Sequence, residues 1–142
     1  MKGFTLIEVL LSIAAITIIA GISVPIYRSF QIRNGLDIAA ATIAQGARRA
    51  QLLAEASDGD SQWGVHVGTS TIAVFRGASY AARNAAYDET FEVPASVTPS
   101  GLEEIVFERF TGAPLIPGTV TLTTNTNETR TITINAKGMV GY

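Results

Sequence analysis

Between Glu8 and Arg28 the chain carries no charged side chain, an interval of 19 residues reading VLLSIAAITIIAGISVPIY. A helix needs about 20 such residues to cross the hydrocarbon core of a bilayer. Lipid offers the backbone no hydrogen-bond partners, so a run of this kind satisfies its N–H and C=O groups best as a helix. Lys2 precedes the run, and Arg28 and Arg33 follow it. Only 15% of the 142 residues are charged, against about 25% in an average soluble domain, and the apolar excess sits at this one end. The length allows one compact domain, not two. The absence of Cys excludes a disulfide scaffold, a zinc ribbon, an iron–sulfur site and a cysteine nucleophile. A single His argues against a His-built metal cage or a His-dependent triad. A net charge of −2 and a pI near 5.3 argue against nucleic-acid binding by the whole molecule.

Three readings of the apolar segment compete. A secretory signal peptide has a basic start, a short apolar stretch and a small-residue cleavage site. Here the start is only Met1-Lys2-Gly3, and the apolar run passes into further helical pattern. A plain single-pass anchor fits the length and hydropathy, but it leaves Glu8 unexplained. A carboxylate near the midplane of a bilayer costs about 2.5–3.5 kcal/mol, and such residues are functional by default. At the membrane interface the cost is small.

The third reading rests on a resemblance. Gly3-Phe4-Thr5-Leu6-Ile7-Glu8-Val9-Leu10 resembles the processing motif of type IV pilins and type II secretion pseudopilins. The resemblance implies a basic leader of residues 1–3 that prepilin peptidase removes after Gly3. It implies N-methylation of Phe4, with Glu8 fifth in the mature chain and Pro25 at a position where the family often has proline. It covers the first fifth of the chain. The physical chemistry of the segment agrees with these roles. Cleavage creates an α-amino group one helical turn from Glu8, in a first turn where the helix dipole favours an anion. In a filament the carboxylate of one subunit can pair with the amine of a neighbour, so that a buried charge sets register.

Pro25 has no N–H to bond the Gly21 carbonyl, and Gly21 is itself a poor helix former. Gly21 to Pro25 therefore reads as a weak stretch of helix, either a simple kink or a segment that extends on packing. Beyond it, Leu36, Ile43, Ala47, Ala50 and Ala54 recur at helical spacing and mark a face that packs on a following sheet. A helix from Phe4 to Ala56 spans about 80 Å, and Ser57-Asp58-Gly59-Asp60-Ser61 ends it. Residues 4–27 are the transmembrane or filament-core part, and 28–57 the amphipathic part. Residues 58–142 read as a β head. Strands are expected at Gln62–Val67, Thr71–Phe75, Phe91–Val93, Ile105–Phe110, Thr119–Thr124 and Thr129–Asn135, with a final edge near Met139 and Val140. No helical pattern separates them, so the pairing is antiparallel. The fold class is α+β, a long N-terminal helix followed by an antiparallel β-sandwich-like head. Gln62-Trp63-Gly64-Val65, Tyr80–Thr90 and Thr129–Asn135 with Lys137-Gly138 resemble the GspH/FimT branch of minor pseudopilins and minor pilins.

Nothing in the head assembles a catalytic signature. Asp58-Gly59-Asp60 resembles the start of a calcium loop but lacks the downstream bidentate Glu, and reads as a solvated turn. Asp88-Glu89 and Glu103-Glu104 are acidic pairs with no nucleophile or oxyanion donor beside them. His66 alternates with Val65 and Val67 and faces the opposite side of its sheet. Trp63 reads as core or as a subunit contact, and Asn127-Glu128-Thr129 is a chance-prone sequon. After Ser57 there are nine acidic and five basic side chains, a net of −4, with Arg76, Arg83 and Arg109 the one group able to form a basic patch.

The sequence thus points to a structural subunit of a pilus or type II secretion pseudopilus, minor in role, with no enzymatic activity, cofactor or metal. Its expected partners are other pilin subunits, prepilin peptidase, an inner-membrane assembly platform and membrane lipid. The expected location is the inner membrane, single-pass, with the head in the periplasm or outside the cell. The alternative is a minor pilin whose head binds DNA, a secreted substrate or a surface.

Overall fold

A computed structural model describes residues 3–142, without the side chains of residues 23–25. The first element, α1, runs unbroken from Leu6 to Glu55, about 75 Å at 1.5 Å per residue. It starts two residues later than the apolar pattern suggests, because Thr5 caps it. Thr5 is extended (φ −85°, ψ 151°), and its hydroxyl accepts the Glu8 N–H. Helical assignment continues through Gly21 and Pro25; the Pro25 ring lies outside the described side chains.

The head consists of two four-stranded antiparallel sheets. The first has strand order β3-β2-β1-β5, from β1 (Trp63–Val67), β2 (Thr71–Arg76), β3 (Glu89–Glu92) and β5 (Glu104–Phe107). The second has order β4-β6-β7-β8, from β4 (Val97–Gly101), β6 (Gly118–Thr124), β7 (Thr129–Ile134) and β8 (Val140–Gly141). Both pack on the C-terminal half of α1. Leu36, Ala39, Ala40, Ile43, Ala47, Ala50 and Ala54 are buried on one helical stripe against Val65, Val74, Ile105, Phe107, Val120, Leu122, Ile132 and Ile134. The stripe is mostly alanine, which lets the backbone of α1 approach two sheets at once. Gly46 belongs to the same approach, since a Cβ there would meet Val74 Cγ2 at 3.3 Å.

Ion pairs flank this seam. Arg33 donates to Glu128 (2.8 Å) and Arg130 to Asp37 (2.9 Å) on the second sheet's side, and Arg49 donates to Glu89 (2.5 Å) on the first sheet's side. All are solvent-exposed, and such pairs are worth about 0–1 kcal/mol each. They orient the helix more than they stabilise it.

The strand β4 is absent from the hydrophobic pattern, because Pro99 and Gly101 weaken it as a strand sequence. It forms at the edge of its sheet, where a missing N–H is tolerated. Strand β3 begins at Glu89 rather than Phe91. Strand β5 stops at Phe107, three residues short of the expected end. The Glu108 N–H turns to the Ala113 carbonyl (2.8 Å), and Phe110 adopts a left-handed backbone (φ 65°).

The first sheet is covered on both faces. Ala73 and Phe75, which point away from α1, are fully buried. Their cover is the segment between β2 and β3, whose Tyr80 ring meets Phe75 edge-on at 5.6 Å. Gly64 makes room for Phe75, because a Cβ there would lie 2.6 Å from Phe75 Cζ and 2.7 Å from the Ile105 carbonyl.

Candidate functional site

The N-terminal segment is the part of the chain whose surface the rest of the molecule leaves uncovered. Leu6, Ile7, Leu10, Leu11, Ile13, Ile16, Ile18, Ile19 and Ile22 are all exposed. A helix apolar all round is stable only when surrounded by lipid or protein. Two of its hydroxyl groups are satisfied within the helix. Ser12 donates to the Glu8 carbonyl and Thr17 to the Ile13 carbonyl, each at 2.8 Å. Hydroxyls bonded back to the preceding turn carry no unsatisfied polarity into an apolar medium.

Glu8 sits in the first turn of α1. The Thr5 carbonyl accepts the Val9 N–H (3.3 Å) as the first regular bond of the helix, and Thr5 also takes the Glu8 N–H, through its carbonyl (3.1 Å) and its hydroxyl, so the cap satisfies one of the turn's free donors. Thr5 and Glu8 stand at the spacing of a capping box. That signal is present in the sequence but hidden within the processing motif. Phe4 precedes the cap and is 82% exposed. The leader residues Met1 and Lys2 lie outside the described residues. A Cβ built at Gly3 or Gly21 meets nothing within 4 Å. Packing within this chain therefore requires glycine at neither place.

In the head, the candidate residues are engaged within the molecule. The Asp58–Asp60 turn is pinned from three directions. Trp63 Nε1 donates to the Asp58 carbonyl (3.0 Å), Arg76 to the Gly59 carbonyl, and Arg109 to both the carbonyl and the carboxylate of Asp60. Arg76 and Arg109 are thus committed to a turn, and Arg83 is held elsewhere by Asp88 (2.7 Å) with its guanidinium 3.7 Å over the Tyr80 ring. The hydrogen bond that Arg83 donates to the Asp88 carboxylate raises the Arg83 pKa above its ordinary value, outweighing desolvation. The three arginines do not form a free basic patch.

Three of the four residues of the acidic pairs, Asp88, Glu89 and Glu104, are structural rather than merely solvated. Asp88 and Glu104 fasten the segment that covers the first sheet, Glu104 by accepting the Tyr80 N–H at 3.0 Å. His66 faces away from α1, as its alternation implies, and its ring stacks on Tyr80 at 3.9 Å. Trp63 is core. Asn127 lies in the β6–β7 turn with φ 60°. Among the described residues, no group of three or more His, Asp or Glu side chains is placed to hold a metal ion.

Residues 1–24 match the prokaryotic N-terminal methylation motif, a span that includes Gly3, Phe4, Glu8 and Gly21 and ends one residue before Pro25. The chain thus carries that motif at the start of a long apolar helix built into a two-sheet head. The fold is similar to that of the minor pseudopilin EpsH from the type 2 secretion system of Vibrio cholerae. The TM-score is 0.56 at 12% sequence identity, over 75% of this chain and 94% of that one. At that identity the likeness is one of fold. No curated protein matches the chain in sequence.

Proposed function

We propose that the chain is a minor subunit of a type II secretion pseudopilus or a closely related pilus. The observation that carries this reading is the methylation motif in register on an apolar helix that its own head leaves uncovered. Prepilin peptidase removes residues 1–3, and Phe4 becomes the methylated N-terminus. The helix holds the subunit in the inner membrane in a single pass, with the head on the far side from the cytoplasm. An inner-membrane platform then draws it into a filament. There Glu8 lies in a packed helical core and pairs with the amine of a neighbouring subunit. An unpaired charge in such a core costs about 3–5 kcal/mol, so pairing selects one stagger between subunits. Gly21 and Pro25 supply the place where the helix adjusts as it leaves lipid for protein. No residue constellation in the head supports catalysis, and the commitment of Arg76, Arg83 and Arg109 removes the basis for a DNA-binding head.

Intact mass and N-terminal sequencing of protein from native membranes test the processing step. A chain beginning at methylated Phe4 is expected, and one beginning at Met1 in cells with active prepilin peptidase would refute it. Glu8→Ala is expected to leave processing intact and to lower the amount of subunit in sheared filaments by at least about tenfold, given the cost of an unpaired buried charge. Undiminished incorporation would remove Glu8 from assembly.

A further inference from the structure

The spacing of charges along α1 fixes where the helix sits in a bilayer, and the head shows what then touches the surface. From Glu8 to Arg28 the helix rises about 30 Å, the thickness of a bilayer's hydrocarbon core. With Glu8 at one boundary, Arg28 falls at the other. Two exposed aromatics flank that second boundary, Tyr27 (65%) and Phe30 (67%). Among the described residues the Arg28 side chain has neither a hydrogen bond nor an ion pair within the chain, whereas that of Arg33, five residues on, is bonded to Glu128 at 2.8 Å. Aromatic rings beside a free guanidinium are the composition of a membrane–water interface.

The head lies close above. Arg33 is about 7.5 Å farther along the axis than Arg28, and the headgroup layer on each side of a bilayer is about 5–8 Å deep. Arg33 holds the β6–β7 turn, Asn125–Glu128, at this level through Glu128, and Asp37 holds the start of β7 through Arg130. Glu128 is offset by Arg33, so Arg28 leaves this end of the head with a net positive charge toward lipid phosphate.

We propose that Tyr27–Arg33 is a lipid-headgroup anchor in which Arg28 binds a phospholipid phosphate and seats the β6–β7 turn on the outer headgroups. The inference rests on the membrane-held state of the proposed function and adds its depth, its ligand and its contact surface. Leaving the bilayer then requires breaking the Arg28–phosphate contact as well as moving apolar surface.

The chain has no cysteine, so single substitutions take one spin label each. Ile16→Cys, Gln31→Cys and Asn125→Cys are labelled in the full chain, all at exposed positions. Asn125 is preferred to Asn127, whose φ of 60° a cysteine would strain. The chain is reconstituted in vesicles of phosphatidylethanolamine with about one-third phosphatidylglycerol, an anionic surface that attracts basic residues. Collisions with oxygen report lipid, and collisions with a soluble nickel chelate report water. The label at Ile16 is expected to meet oxygen only, and those at Gln31 and Asn125 to meet nickel at a reduced, headgroup-like rate. Adding Arg28→Gln is expected to let the helix slide inward and lower nickel access at Gln31 by at least about twofold, with Arg28→Lys restoring it, because the surface holds a positive charge. Unchanged access in Arg28→Gln would overturn the phosphate contact while leaving the span intact. Full water access at Asn125 would overturn the seating of the head. Nickel access at Ile16 would overturn the membrane-held state itself.

Discussion

Thr5 and Glu8 divide the work at the start of α1. Thr5 ends the extended chain and takes the Glu8 N–H, and under the proposed function the Glu8 side chain serves a partner outside its own helix. Thr5→Ala is expected to cost about 1 kcal/mol of helix stability at this end. Amide exchange of Glu8 and Val9 in detergent micelles should quicken about fivefold, while amides beyond Ile13 keep their rates. Unchanged exchange would mean that the cap is dispensable. At the same scale, Tyr80 joins the covering segment to the first sheet through His66, Phe75 and Arg83. Each such ring contact is worth about 0.5–1.5 kcal/mol beyond its buried area. Tyr80→Ala should therefore expose the Arg83 peptide bond to trypsin while leaving the strands folded, which limited proteolysis with circular dichroism can read. The parity of His66 is legible in the alternation of β1. Its partner is not, since Tyr80 reaches it through an irregular loop that has no periodicity to read.

Among the elements, α1 is the most legible and β4 the least. The stripe from Leu36 to Ala54 follows helical spacing, and spacing is what hydrophobic burial selects. Strand β4 is held by its pairing with β6, a contact between distant residues that outweighs the poor propensity of Pro99 and Gly101. The small size of the stripe makes a further prediction. Ala47 is fully buried between α1 and the sheets. Ala47→Leu should overpack that seam and destabilise the protein by about 1–3 kcal/mol, seen as a lower urea midpoint with an unchanged slope. A wild-type midpoint would show that the helix has room to rise from the sheets. The outer face of β6 and β7 follows a different logic. Thr119, Thr121 and Thr123 lie opposite Thr133, Thr131 and Thr129. A two-residue slip would again set Thr against Thr, so the ladder alone fixes register weakly. The turn fixes it, through Thr124 Oγ1 accepting the Glu128 N–H (3.1 Å) and through the two ion pairs to α1.

For the whole molecule, head and helix are one folding unit. The inner faces of both sheets close on the second half of α1, so strands without that helix expose Val65, Val74, Ile105, Phe107, Leu122 and Ile132 together. A fragment of residues 28–142 is expected to be soluble and to unfold cooperatively. A fragment of residues 58–142 is expected to aggregate or to show no cooperative transition; its folding would separate head from helix. The same unity has a mechanical side. An axial pull at the N-terminus travels along α1 through main-chain hydrogen bonds arranged in series, so the weakest turn sets the strength of that path. At the head the load leaves the helix sideways, in shear, across a seam where alanine contacts and three ion pairs share it in parallel. Series links fail singly and parallel links fail together. Proline removes one link from the series, so under tension the rod is expected to give first between Gly21 and Pro25, lengthening there while the head stays whole.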